Sequence, residues 1–161
     1  MIAFLGLGSN LGNRELNLKE AVSRIEESIG SVIRSSSVYI AEPWGFQTND
    51  EFLNMVVKIE TELIPTELIK KILMIESLLG RVRSKKQYSS RIIDIDILLY
   101  GDFITDENNL TIPHPMMHKR KFVLVPLCEI EDGLVHPGLK KSIGSLLDEC
   151  EDKCQIRKYS L

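Results

Sequence analysis

Phe52-Leu53-Asn54-Met55-Val56-Val57-Lys58-Ile59-Glu60-Thr61-Glu62 alternates with a period of two. Successive side chains of a strand point to opposite faces. Leu53, Met55, Val57 and Ile59 therefore share one face, and Phe52, Asn54, Val56 and Lys58 the other. The position of this strand in the chain decides the fold. Upstream, residues 2–7 read as a buried strand closed by Gly8, and residues 9–13 as a turn. Leu18, Ala21, Val22, Ile25 and Ile29 recur at helical spacing until Gly30. Residues 31–40 read as a second strand and residues 41–50, with Pro43 and Gly45, as a loop. Gly6-Leu7-Gly8-Ser9-Asn10-Leu11-Gly12 follows a strand and precedes a helix, which invites a dinucleotide-binding reading. A doubly wound sheet would return to a helix after the second strand. Here a loop and a third strand follow, so that reading fails.

Downstream, Pro65 suits the first turn of a second helix. Leu68, Ile72, Leu73 and Leu79 form its apolar stripe, and Gly80 stops it. A basic loop comes next, then an isoleucine-rich strand. The order β-α-β-β-α-β is the split pattern of an α+β, ferredoxin-like core. The remainder forms a C-terminal extension. Residues 103–112 read as a short hairpin, 121–130 and 142–149 as short helices, and 155–159 as a terminal strand. Residues 1–161 are expected to form a single domain.

Composition narrows the function by exclusion. The chain is 43% hydrophobic and 27% charged, which indicates neither disorder nor a disulfide scaffold. A net charge of −3 offers no global attraction to nucleic acid or an anionic membrane. Cys128, Cys150 and Cys154 show no framework spacing and read as reduced thiols of a cytoplasmic protein. No signal peptide or membrane span is apparent.

Chemistry concentrates in Arg91-Ile92-Ile93-Asp94-Ile95-Asp96-Ile97-Leu98-Leu99-Tyr100-Gly101. Asp94 and Asp96 stand two apart in a strand, so both carboxylates converge on one side, with Leu98 and Tyr100 expected on the same face. Carboxylates suit Mg²⁺ when substrate phosphates supply the remaining ligands. Arg81, Arg83, Lys85, Lys86 and Arg91 crowd the segment just before and include no acid. A solvated loop or a nucleic-acid patch would share this composition. Phosphate clamping fits better, because arginine forks match phosphate oxygens. His114 sits between Pro113 and Pro115 in a rigid extended segment, and the prolines argue against a helical metal pair with His118. Cys150 and Cys154 lack further ligands for zinc.

Together these pieces resemble the 6-hydroxymethyl-7,8-dihydropterin pyrophosphokinases of folate biosynthesis. The residues that carry the resemblance are Gly8-Ser9-Asn10, Pro43-Trp44-Gly45, Phe52-Leu53-Asn54, Gly80-Arg81-Val82-Arg83, Arg91-Ile92-Ile93-Asp94-Ile95-Asp96-Ile97, and Pro113-His114 with Arg120-Lys121-Phe122. The resemblance implies a ferredoxin-like fold and transfer of pyrophosphate from ATP to the pterin's hydroxymethyl oxygen, with release of AMP. It implies Asp94 and Asp96 as holders of two Mg²⁺ ions, with Arg81 and Arg91 catalytic beside them. Glu76, Arg81, Arg83, Arg91, Ile97, His114 and Arg120 match positions near ATP. Gly8, Ser9, Asn10, Trp44, Phe52, Asn54, Asp94 and Phe122 match the pterin side, with Phe52 and Phe122 as the ring sandwich. A monomer without nucleic-acid or membrane partners is expected. The chain departs from the family pattern at Gln87, Tyr88, Ser89, Ser90, Asn109 and Pro115. A γ-phosphoryl kinase and a ferredoxin-like RNA-binding module remain alternatives.

Overall fold

The computed structural model describes residues 1–86, 88–107 and 109–160. Gln87, in the basic loop, lies outside them. The core runs β1 (Ile2–Ser9), α1 (Arg14–Ser28), β2 (Ser31–Ser35), β3 (Tyr39–Ala41), β4 (Phe52–Glu60), α2 (Pro65–Leu78) and β5 (Asp94–Tyr100). The extension adds β6 (Thr105–Glu107), β7 (Leu110–Ile112), α3 (Lys121–Glu131), α4 (Ile143–Asp148) and β8 (Ile156–Lys158). The main sheet has the order β5-β1-β4-β3-β8, with β2 also paired to β4 and all neighbours antiparallel. With β2 and β3 taken as one interrupted strand, this is the ferredoxin-like arrangement.

The expected single strand over residues 31–40 is broken at Ser36. There the Ser36 hydroxyl accepts the Val56 N–H at 2.9 Å. Ser37 turns away, and its N–H donates to the Glu129 carboxylate on α3 at 3.1 Å. A serine side chain has replaced a ladder carbonyl, which is how such residues interrupt regular structure. β1 runs further than its apolar residues suggest, through Gly8 and Ser9, because β4 and β5 flank it: Gly8 pairs with Asn54 on one side and Asp94 on the other.

The sheet has two covered faces. On one, Leu18, Ala21 and Ile25 of α1 and Leu68, Ile72 and Ile75 of α2 pack on Leu53, Val57, Ile59, Ile95 and Ile97. The α2 stripe includes Ile75 and not Leu73, which is 40% exposed. One residue turns a helix by about 100°, so Leu73 leaves the face that Leu68, Ile72 and Ile75 share. On the other face, α3 and α4 bury Phe4, Val56, Leu98 and Leu99. Truncating a fully buried residue such as Ile72 or Leu124 to alanine costs about 2–5 kcal/mol.

Leu98 and Leu99 on one face show that β5 does not alternate throughout. The pairing slips there: Leu5 faces Ile97 and Phe4 faces Leu99, leaving Leu98 as the extra residue of a bulge. Asp94, Asp96 and Leu98 share a face as expected. Tyr100 is turned to the other side, where its hydroxyl donates to the Leu63 carbonyl at 2.8 Å. In the extension, the hairpin β6–β7, both helices and the terminal strand form close to their expected positions. Among the described residues, no helix is long and apolar enough to cross a membrane.

Candidate active site

The face under α3 changes character along the strands. Val56 of β4 and Leu98 of β5 are core, but Asn54 and Asp96, two residues nearer one end, lie beyond the start of α3. A cavity of about 230 Å³ opens there. Phe52 and Asn54 of β4 and Asp94 and Asp96 of β5 line its floor. Trp44 and Phe46 come from the β3–β4 loop, and Arg81, Tyr88 and Arg91 from the basic loop. His114, Arg120 and Phe122 close it on the α3 side.

The two carboxylates are not equivalent. Asp94 accepts Arg81 Nη1 at 2.6 Å and lies 3.4 Å from Arg91 Nη1. Arg81 also donates to Glu76 Oε1 at 2.6 Å, and Arg83 reaches Glu76 Oε2 at 3.2 Å. Burial opposes the Arg81 charge, but Asp94 and Glu76 outweigh it and raise its pKa. Glu76 is 3% exposed and accepts the Ile95 N–H at 2.8 Å. Burial pushes its carboxyl pKa up, against the pull of Arg81 and that N–H.

Asp96 has His114 Nε2 at 3.9 Å. Enclosure and then the Asp94 charge push its pKa up to about 7, against Arg120 and Arg91. The side chain is still 38% exposed, so it is hemmed in and not sealed from water. Burial and the Arg120 charge push His114 down to about 4, so the ring is neutral near pH 7. Its Nδ1 accepts the Met116 N–H at 3.1 Å, which assigns the ring proton to Nε2, on the Asp96 side.

The opposite wall is aromatic and cationic. The Arg120 guanidinium lies 4.5 Å from the Trp44 ring centroid and 5.7 Å from that of Phe122. Trp44 meets Tyr88 edge-on at 5.6 Å, and Arg91 lies 5.7 Å from the Phe52 centroid. Asn54 Nδ2, Arg91 Nε and Arg120 Nε are buried without a partner. Buried polar groups are otherwise nearly always bonded. Three orphaned donors on one cavity mark it as shaped for a polar ligand. Among the described residues, no cluster of three or more His, Cys, Asp or Glu side chains could hold a metal ion. The donor set fits Mg²⁺ bound by two carboxylates with ligand oxygens completing its shell.

Most residues singled out from sequence meet here. Asp94, Asp96, Arg81, Arg91, His114, Arg120, Trp44, Phe52, Asn54 and Phe122 line the cavity, and Gly8 borders a small crevice beside it. Arg83, 64% exposed, lines an adjoining hollow of about 340 Å³ with Lys85 and Lys86. Glu76 stands behind Arg81, off the wall. Three others are placed elsewhere. Ser9 is fully buried, and its hydroxyl accepts Asn17 Nδ2 of α1 at 3.1 Å. Asn10 spends its side chain on Arg91, Ser90 and Asp50. The Ile97 side chain lies in the α1–α2 core, because it alternates with Asp96. Glu42 and Phe46 join the wall without any sequence signal, since their loop has no periodicity.

Carboxylates suited to a divalent cation, flanked by guanidinium forks and an aromatic slot, define the class as a metal-assisted phosphoryl-group transferase. Residues 4–132 match the model of 7,8-dihydro-6-hydroxymethylpterin-pyrophosphokinase (HPPK). The 2-amino-4-hydroxy-6-hydroxymethyldihydropteridine pyrophosphokinase of Aquifex aeolicus is 41% identical over 140 residues, covering 87% of this chain and 86% of that one. The protein of the same name from Haemophilus influenzae is 43% identical over 156 residues, 96% of each chain. The HPPK-DHPS of Plasmodium falciparum, solved with pteroate, has the same fold, with a TM-score of 0.79 at 18% identity over 92% of this chain. This chain spans 44% of that solved chain. The chain belongs to the HPPK family and is a pyrophosphokinase.

Proposed function

We propose that residues 1–161 act as one catalytic domain that transfers pyrophosphate from ATP to 6-hydroxymethyl-7,8-dihydropterin on the route to tetrahydrofolate. The names of its relatives and the chemistry of its cavity support this reading. The hydroxymethyl oxygen attacks the β-phosphorus, its proton departs, the bond from the β-phosphorus to the α,β-bridging oxygen breaks, and AMP leaves. Asp94 and Asp96 would hold two Mg²⁺ ions, which would supply charge neutralisation for the triphosphate. The remaining work is positioning and charge stabilisation. Arg81 and Arg91 turn their forks to phosphate oxygens. Neutral His114 offers its Nε2–H, and Arg120 adds charge. Arg83, Glu76 and the Ile97 backbone lie toward the nucleotide.

Phe52 and Phe122 flank the flat pterin, which adds about 0.5–1.5 kcal/mol beyond area burial. The orphaned Asn54 amide pairs with the ring's donor–acceptor edge, with Trp44 and Gly8 beside it. A site built to bond such an edge strongly rejects analogues that lack it. A cytoplasmic monomer without a nucleic-acid partner completes the reading. Three free cysteines fit a reducing compartment, and a net charge of −3 offers no global attraction to nucleic acid.

The observation that carries the reading is the convergence of both aspartates with the unpaired Asn54 amide in one cavity. Incubation with ATP, Mg²⁺ and the pterin, followed by nucleotide chromatography, tests it. AMP is expected. ADP would instead make the chain a γ-phosphoryl kinase. Salt-sensitive RNA binding without turnover would favour the RNA-binding module.

A further inference from the structure

We propose that Asp152, carried by the C-terminal tail, is a positioning residue that holds the first turn of α3 so that Arg120 and Phe122 stay at the cavity wall. The inference rests on the pterin reading above. Asp152 lies beyond the span matched by the family model, which ends at residue 132.

The first turn of α3 is closed by the Val123 and Leu124 N–H groups on the Arg120 carbonyl, at 3.1 and 3.0 Å, but two of its positions go unserved by the helix. Arg120, at the N-cap, supplies no side-chain cap. Pro126 stands inside the helix and has no N–H to give to the Phe122 carbonyl one turn earlier. The turn that carries both cavity residues thus lacks a side-chain cap at its start and the residue-126 N–H at its end. Asp152 supplies what is missing. Its Oδ2 accepts the Lys121 N–H at 2.9 Å, across 31 residues of sequence. Its Oδ1 accepts the Cys154 N–H at 2.9 Å, which fixes the carboxylate within the tail. A carboxylate on the first amide of a helix is a charge-assisted cap aligned with the helix dipole. Burial works against its ionisation, but the Cys154 and Lys121 amides prevail and hold the acid below its ordinary pKa.

The same tail grips the facing wall. The Gln155 carbonyl accepts the Glu42 N–H at 3.5 Å, and Ile156 pairs with Ala41 at the end of β3. The loop that follows β3 carries Trp44. Farther on, the Tyr159 N–H donates to the Val38 carbonyl at 2.8 Å, and its hydroxyl to Glu15 at 2.6 Å. One short segment is therefore tied to both sides of the slot in which Trp44 and Phe122 flank Arg120. The plain alternative is a cap that stabilises the fold and leaves the ligand unaffected.

The test uses the full chain, with 6-hydroxymethyl-7,8-dihydropterin and a non-hydrolysable ATP analogue titrated separately by calorimetry, and thermal melting alongside. Wild type must bind the pterin; if it does not, the proposed function fails first. Given wild-type binding, Asp152→Ala is expected to weaken pterin binding about fivefold. Affinity for the ATP analogue should fall by less, about twofold, because Arg120 shares the displaced turn but Arg81 and Arg91 do not. Asp152→Asn keeps one acceptor oxygen and should recover part of the loss, which also guards against a misfolded alanine variant. Tyr159→Phe removes the hydroxyl bond to Glu15 at the far end of the tail and should leave pterin affinity unchanged. Unchanged pterin binding in Asp152→Ala, or equal losses for both ligands, would overturn the proposal.

Discussion

Asn10→Ala separates a ligand contact from a structural clasp. The Asn10 side chain is 4% exposed and is committed on both its atoms. Oδ1 accepts the Arg91 N–H at 2.7 Å, and Nδ2 donates to Ser90 Oγ at 3.1 Å and to the Asp50 carbonyl at 3.4 Å. Its own N–H donates to the Arg91 carbonyl at 3.1 Å, so one residue joins β1 to the end of the basic loop. Alanine keeps that backbone bond and strips the others. The Arg91 N–H loses its partner, which costs about 1–3 kcal/mol, and the good Nδ2 bond adds about 1 kcal/mol. A net loss of about 2–4 kcal/mol corresponds to a fall of about 4–16 °C in melting temperature for a chain of this size. Turnover should drop, because Arg91 would no longer be held beside Asp94. Pterin affinity should change by no more than about twofold. Asn10→Asp keeps the oxygen for Arg91 and should melt between the two. The measurements are thermal denaturation and pterin titration on the same samples. A melting point within about 2 °C of wild type together with a tenfold weaker pterin would refute the clasp and restore Asn10 as a ligand contact.

Asp96→Asn should abolish turnover and raise metal-free stability, more at pH 8 than at pH 4.5. The folded pKa of about 7 lies above the ordinary 3.8, so the cost of ionising Asp96 is absent below the lower value and complete above the higher one. Equal melting-point gains at both pH values would contradict that placement. Phe122→Ala should weaken pterin binding by at least the stacking share of about 0.5–1.5 kcal/mol and affect ATP less, so equal losses in titration would count against the sandwich. Gly8→Ala would place a Cβ 3.0 Å from Asn54 Oδ1 and 3.6 Å from the Phe52 ring. It should displace the Asn54 amide and weaken the pterin with little change in the circular dichroism of the fold; unaltered affinity would show that the amide's position is not critical.

Local periodicity carried most of the fold and the centre of the site. Alternation in β4 put Phe52 with Asn54, and two-residue spacing in β5 put Asp94 with Asp96, because those regularities are properties of a single strand. What escaped was set by neighbours. Tyr100 changes face because β1 and β5 slip by one residue at Leu98, and no local pattern in β5 signals a slip. Leu73 and Ile75 are both apolar, and only the docked sheet decides which is buried. The break at Ser36 depends on Glu129, more than ninety residues downstream. Ser9 and Asn10 lie beside the cavity in sequence, but the Asn17 and Arg91 partners that claim them are visible only in the assembled fold.

The charges of the site also form a connected set. Glu76, Arg81, Asp94 and Arg91 are linked in that order, with Arg83 on the outer side of Glu76. Without ligand, the guanidinium groups of Arg81 and Arg91 neutralise Asp94, the carboxylate nearest the basic loop. Asp96 has a neutral imidazole at 3.9 Å, and its enclosure and the Asp94 charge outweigh Arg120 and Arg91 and push it toward protonation. A polyphosphate arriving alone would draw Arg81 and Arg91 off Asp94 and leave an uncompensated carboxylate, and a divalent cation arriving alone would face those same guanidinium charges. Leaving one partner of a buried pair unmatched costs several kcal/mol. Nucleotide and cation entering together would exchange both ion pairs of Asp94 at once and strand no charge. On the proposed function, the arrangement would favour ATP as its magnesium complex, with Glu76 keeping Arg81 in reach of the phosphates.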